Sequence, residues 1–244
     1  MGMTIQKVKV PFNINYIIAF LLLLFLLMQF HQLLHHIAGG ILCGKVAYLT
    51  FDKHHYSESL SESGYIIATI VGPLFSHYLV MWIGLFLLLK NRYNLLAVSL
   101  IFASLPVGRL AAVNGGDEKF YGSWICQLFG FDESYATIIS LIITLLILLP
   151  PVIVGFKSIA NKHRLIVFLS LLILPALFYF VFIFYPDHRF IVPQVVDSYE
   201  SGKSAGLALR LFWGLPLIDI LITVVLSILF FGKYFRYLVA LDKK

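Results

Sequence analysis

Charge is what this chain has least of. Asp, Glu, Lys and Arg make up 12% of its 244 residues, against roughly 25% in a soluble domain. That shortage rules out an ordinary water-facing surface over most of the chain. Cysteine is limited to Cys43 and Cys126, which fit no zinc-finger spacing and could pair only if both faced an oxidising side. There is no internal repeat, no low-complexity segment and no soluble domain. The formal net charge is +6, but the basic residues stand singly at the ends of apolar runs and form no stripe. They are placed as juxtamembrane anchors, so nucleic acid is not an expected partner and a lipid bilayer is.

Apolar runs of membrane-spanning length take up the rest; hydrophobic residues account for 60% of the chain. Six spans are expected: Tyr16–Gly39, Tyr65–Leu89, Leu95–Val113, Ala136–Phe156, Leu165–Tyr185 and Leu211–Phe231. Continuous Leu/Ile runs exclude the alternation of a barrel strand, so the expected class is all-α, a polytopic membrane helix bundle. The first run is too long for a signal peptide and is followed by no small-residue cleavage site. With the N-terminus inside, eleven Lys and Arg fall on inner segments and seven on outer ones, which places both termini in the cytoplasm of a cell (plasma or inner) membrane. Lys45–Phe51, rich in Val, Tyr, Thr and Phe, reads as a strand, and Pro186–Arg210 as a polar connection. Unusual polar residues concentrate in the first half. The chain therefore reads as one membrane domain, with residues 1–120 as core and residues 121–244 as supporting helices.

The chemistry sits at the end of the first run, where residues 31–36 read His-Gln-Leu-Leu-His-His. His31 and His35 are four apart, so on a helix they share a face and can grip one metal ion. His36 is turned by about 100° from His35 and should not join them. Histidines within a span are costly without a partner or cavity, which makes them functional candidates. A polar interfacial cap is the plainer reading of the same residues. Gly72-Pro73 falls inside the second span, where proline frees a carbonyl and glycine permits close approach of another chain; an ordinary membrane-helix kink would look the same. Asn114-Gly115-Gly116-Asp117-Glu118 follows the third span and sets two carboxylates on a sharp turn.

Taken in order, an HxxxH helix, a Gly-Pro helix and a proline-containing helix ending in an acidic turn resemble the site-2 protease family of intramembrane zinc metalloproteases. The resemblance covers about the first half of the chain. It implies a zinc cofactor held by His31, His35 and an aspartate, with transmembrane helices of other proteins as substrates and Gly72 and Pro73 at the substrate. The family's order favours Asp117 as the third ligand. Asp219, in Pro216-Leu-Ile-Asp219, is the rival and is otherwise expected to lie elsewhere, paired with a polar group.

Two departures matter. After Pro106 the position matching the family's aspartate is Arg109. The residue after the first histidine is Gln32, where the family's HExxH pattern has the glutamate that accepts a proton from water. Glutamine keeps the shape and hydrogen bonding and cannot take the proton, so an inactive form or pseudoprotease is expected unless Glu118, Glu58 or Glu62 substitutes. Two other classes fit the same histidines: a membrane haem protein with His77 opposite His31 or His35, and a transporter or channel with His31, His35, Arg109 and Asp219 along a polar path.

Overall fold

Asn13 sets the start of the first helix by accepting the Tyr16 amide on its side-chain oxygen (2.9 Å), and the helix then runs unbroken over Ile14–Cys43. The structure, a computed structural model, describes residues 6–43, 48–51, 54–55, 61–201, 211–212 and 215–240. The protein is an all-α multi-pass membrane bundle. Six helices are long and apolar enough to cross a membrane: Ile14–Leu42, Glu62–Leu89, Asn94–Asn114, Glu133–Ser158, Arg164–Val196 and Leu217–Ala240. A shorter helix, Lys119–Phe129, bridges the third and fourth.

Burial divides the six into two classes. Within their most apolar stretches the first three are 56%, 50% and 67% buried, and the last three 28%, 22% and 17%. The first helix supplies the centre, with Ala19, Phe20, Leu24 and Met28 sealed in it. Hydrocarbon lipid is as apolar as leucine, so a helix seeks the interior for its small and polar groups, and most of the buried polar ones lie on the first three helices.

Three segments differ from the sequence reading. The fifth helix does not stop at Tyr185; it passes through Pro186 and continues as Val192–Ser201. Wide π turns at Tyr179–Phe184 and Asp187–Ile191 flank the proline, and looser turns absorb its missing N–H where a regular helix would break. The last helix starts at Leu217 and not Leu211, because Leu211–Phe212 pairs antiparallel with Leu215–Pro216. A residue before proline disfavours the helical region, which keeps Leu215 extended. In the first connection Tyr48–Leu49 pairs with His54–His55. The first part of the expected strand at Lys45, together with Glu58, lies outside the described residues.

The ends of the helices alternate as six spans require. Val8 bridges Ile159, its amide donating to the Ser158 carbonyl and its carbonyl accepting from the Ala160 amide, both at 2.8 Å. Asn161 holds Val10 from both sides, accepting its amide at 2.8 Å and donating to its carbonyl at 2.9 Å. The Gln6 amide donates to Asn91 Oδ1 (2.7 Å), and the Tyr237 hydroxyl to Asn13 Oδ1 (3.0 Å). Lys90, Arg92, Lys157, Lys162 and Arg164 therefore gather at one end with the N-terminal segment. With Cys43 and Cys126 replaced by serine, single cysteines at Asn91 and Ala160 should react with a membrane-impermeant maleimide from one face, and one at Phe131 from the other. Labelling of all three from one face would refute the six-span arrangement.

Candidate metal centre

The second helix runs antiparallel to the end of the first and turns Ala68, Gly72 and Ser76 toward it, one residue per turn. Each meets a histidine. The Ala68 carbonyl lies 2.9 Å from His35 Nδ1. A carbonyl only accepts, so Nδ1 carries the proton and Nε2 of a neutral His35 offers a lone pair. Ser76 Oγ lies 2.6 Å from the Gly72 carbonyl and 3.1 Å from His31 Nδ1. The hydroxyl spends its single proton on the carbonyl, so His31 Nδ1 donates to it and His31 Nε2 is also left as a lone pair. Metal-binding histidines are oriented this way, the second ring nitrogen donating to a carbonyl or another acceptor.

The two Nε2 atoms face each other at 3.2 Å. Asp117 Oδ2 lies 3.0 Å from His31 Nε2 and 3.2 Å from His35 Nε2. With both rings neutral, three acceptor atoms converge with no hydrogen to share, an arrangement that repels unless a proton or a metal cation occupies the centre. Zinc bonds of about 2.0–2.1 Å in a tetrahedral set place ligand atoms about 3.3 Å apart, so the donor set fits zinc. His31, His35 and Asp117 form the one group among the described residues with this metal-ligand geometry. The histidines are sealed, at 2% and 0% exposure, while the Asp117 side chain is 20% exposed and gives the centre its open side.

Gly72 is fixed by space. A Cβ there would stand 2.1 Å from His35 Nε2, so any larger residue pushes the ring off its place. Its carbonyl is already engaged by Ser76, which gives the Gly-Pro element a structural duty toward the histidines. Pro73 ends the regular part of the helix, and a π turn at Leu74–Tyr78 follows. That turn brings His77 beside His31, ring centroids 4.9 Å apart, fully buried and with neither ring nitrogen hydrogen-bonded. Rings this close leave no slot for a porphyrin plane between His31 and His77, which counts against that pairing of the haem reading.

The third helix breaks at Ser104–Leu105, where Leu105 takes a positive φ of 53° before Pro106. The restarted half-helix carries Arg109 inward, and the chain returns through a turn in which the Gly116 amide donates to the Ala112 carbonyl (2.7 Å). A Cβ on Gly116 would meet the Ala112 methyl at 2.7 Å, so this close return needs glycine. It presents Asp117 to the histidines and Glu118 to Arg109. Glu118 is fully buried, its Oε1 accepting from Arg109 Nη1 (3.2 Å) and from the Tyr78 hydroxyl (3.1 Å), with Oε2 lacking a partner. Arg109 Nη1 is 3.9 Å from Asp117 Oδ2. Arg109 therefore serves as counter-ion to these adjacent carboxylates.

Gln32 is buried at 4% beside the first ligand, and His36 is buried at 7% outside the ligand set. Glu62 sits at the exposed start of the second helix, bonded to Gln127 Nε2 at 3.0 Å, about 15 Å along the helix from Gly72. Asp219 lies away from the cluster. Contrary to expectation it has no polar partner among the described residues: both carboxylate oxygens are buried and without a hydrogen bond. Sequence reasoning passed over Ala68 and Ser76. With Gly72 they form a stripe of small residues four apart, the usual signal of close helix contact in a membrane. Comparison with protein-family models, with curated proteins and with solved structures returns no match.

Purified protein should hold about one zinc per chain by elemental analysis. His31→Ala, His35→Ala and Asp117→Ala should each lose it, and His36→Ala should keep it. Gly72→Ala should also lose it with every ligand intact, because the added methyl displaces His35. Equal metal content across the set would dismiss the centre.

Proposed function

We propose that this protein is an intramembrane zinc metalloprotease-like protein of a cell (plasma or inner) membrane, acting on or binding transmembrane helices of other proteins. The observation that carries the reading is the convergence of His31 Nε2, His35 Nε2 and Asp117 Oδ2 at 3.0–3.2 Å, with each ring's Nδ1 tied off. Three protein ligands with one open side are the catalytic form of a zinc site; a structural site closes with four. Bound there, zinc would supply Lewis-acid polarisation of a peptide carbonyl and a lowered pKa for water.

The chain's own residues then divide the work. Ser76 and the Ala68 carbonyl hold the histidines in their ligand tautomer. Arg109 balances Asp117 and Glu118, so the cluster without metal carries a single excess negative charge at neutral histidine. Gln32 can orient water by hydrogen bonds and cannot take its proton. Glu118, the nearest other carboxylate, has one oxygen tied to Arg109 and Tyr78. The site is therefore built to bind metal and peptide, and is weak in the step that needs a base. A transporter path is less well supported. Arg109 belongs to the histidine cluster, while Asp219 lines a groove walled by Leu23 and Phe30 and is not part of the His31, His35 and Asp117 group.

Gln32→Glu should raise cleavage of single-span helices in liposomes by about two to four orders of magnitude, the usual worth of a general base. A zinc chelator should abolish the gain. Equal activity in the two forms would make another group, with Glu118 first in line, the base. A Gln32→Glu protein without metal would end the protease reading.

A further inference from the structure

A second polar feature lies outside the metal centre. Between the first and last helices runs a groove of about 480 Å³, within the 300–1,000 Å³ range of small-molecule sites. One wall is mostly hydrocarbon, with Leu23, Leu27 and Phe30 from the first helix beside Gln29, whose side-chain amide donates to the Phe51 carbonyl. The facing wall carries Asp219, Thr223 and Ser227, four residues apart and so on one face of the last helix. This stripe is about 12 Å long. Phe30 and Val224 at the rim are 44% and 49% exposed, so the groove opens at the outer surface of the bundle.

Asp219 is the anomaly. It is 4% exposed, lines the groove, and among the described residues neither carboxylate oxygen accepts a hydrogen bond. Among the described residues, the charged group near enough to act on it is Asp187, of the same sign. Asp187 is fully buried, and its Oδ2 accepts from the hydroxyl of Thr50, another groove residue, at 2.6 Å. A buried carboxylate with a like-charged neighbour and no donor is costly in a membrane and marks a site whose counter-group arrives from outside.

We propose that this groove binds a single-chain amphiphile with a cationic head, of the long-chain amine class, its ammonium on Asp219 and its chain along Leu23, Leu27 and Phe30. An ammonium brings the charge and the N–H donors that Asp219 lacks, and the apolar wall accepts one hydrocarbon chain. A partner helix suits the site less well, since only one carrying a cationic side chain at this depth would supply the charge that Asp219 lacks. The inference goes beyond the metal centre and does not depend on it.

The test is photo-crosslinking of the full chain in phosphatidylcholine nanodiscs with tetradecylamine carrying a mid-chain diazirine, against the matching alcohol, with labelled peptides read by mass spectrometry. The amine should label the groove segments of the first and last helices about tenfold more than the alcohol, the worth of one charge-assisted hydrogen bond. Asp219→Asn should bring amine labelling down to the alcohol's level, and Val224→Trp, which fills the groove, should remove both. Equal labelling of the native protein by amine and alcohol would overturn the proposal, and this comparison needs no variant to fold. An amine preference that survives Asp219→Asn would also overturn it. So would a single-span helix carrying one lysine that protects the groove better than unlabelled tetradecylamine, since the occupant would then be a protein.

Discussion

Everything at the centre depends on where two protons sit. The Ala68 carbonyl and the Ser76 hydroxyl each claim the Nδ1 proton of a histidine, and this turns both Nε2 lone pairs toward one point. Asp117 adds a third. Without a cation the cluster is mutually repulsive; with one it is a matched ligand set whose rings cannot rotate away. Exchange of either Nδ1 partner for an apolar group would free the ring to present the wrong nitrogen. The second helix is thus as much a part of the centre as the first, although it contributes no ligand.

The remainder of the core can be understood as what brings three acceptors into a low-dielectric interior. Gly72 vacates the volume that the His35 ring occupies. The break at Leu105 and the close turn at Gly116 return the chain so that adjacent carboxylates point to different partners, Asp117 to the histidines and Glu118 to Arg109. A carboxylate as fully buried as Glu118 would be costly alone; Arg109 and the Tyr78 hydroxyl compensate it.

Much of this was legible in the residues, and the limits have physical causes. Helix number and class followed from run length and the absence of charge. His31 and His35 followed from helical spacing, and Asp117 from the order of motifs. The groups that hold the histidines were not legible. A backbone carbonyl has no signature in sequence, and a serine in a span reads as a neutral filler until its neighbour is known. Arg109 read in the sequence as a departure from a motif, and the structure sets it as counter-ion to Glu118 and Asp117. Pro186 looked like a stop, because the π turns that carry a helix past proline leave no compositional mark. Asp219 was expected to be paired, on the sound rule that buried charges are; it is the place where the rule and the fold disagree.

The N-terminal strap bears on how the centre sits in the bilayer. Residues 8–10 are hydrogen-bonded to residues 158–161, and the first helix begins three residues later at its Asn13 cap. From that cap to His31 is about 27 Å of helix, nearly the whole hydrocarbon thickness of about 30 Å. The strap pins one end of a rigid rod, and the rod acts as a ruler. It sets the histidines at a constant depth close to the boundary opposite the basic end of the bundle. Any helix that docks at the centre would be met at a fixed height in the membrane, so its alignment would be decided by where its own apolar stretch ends as much as by the residues it presents.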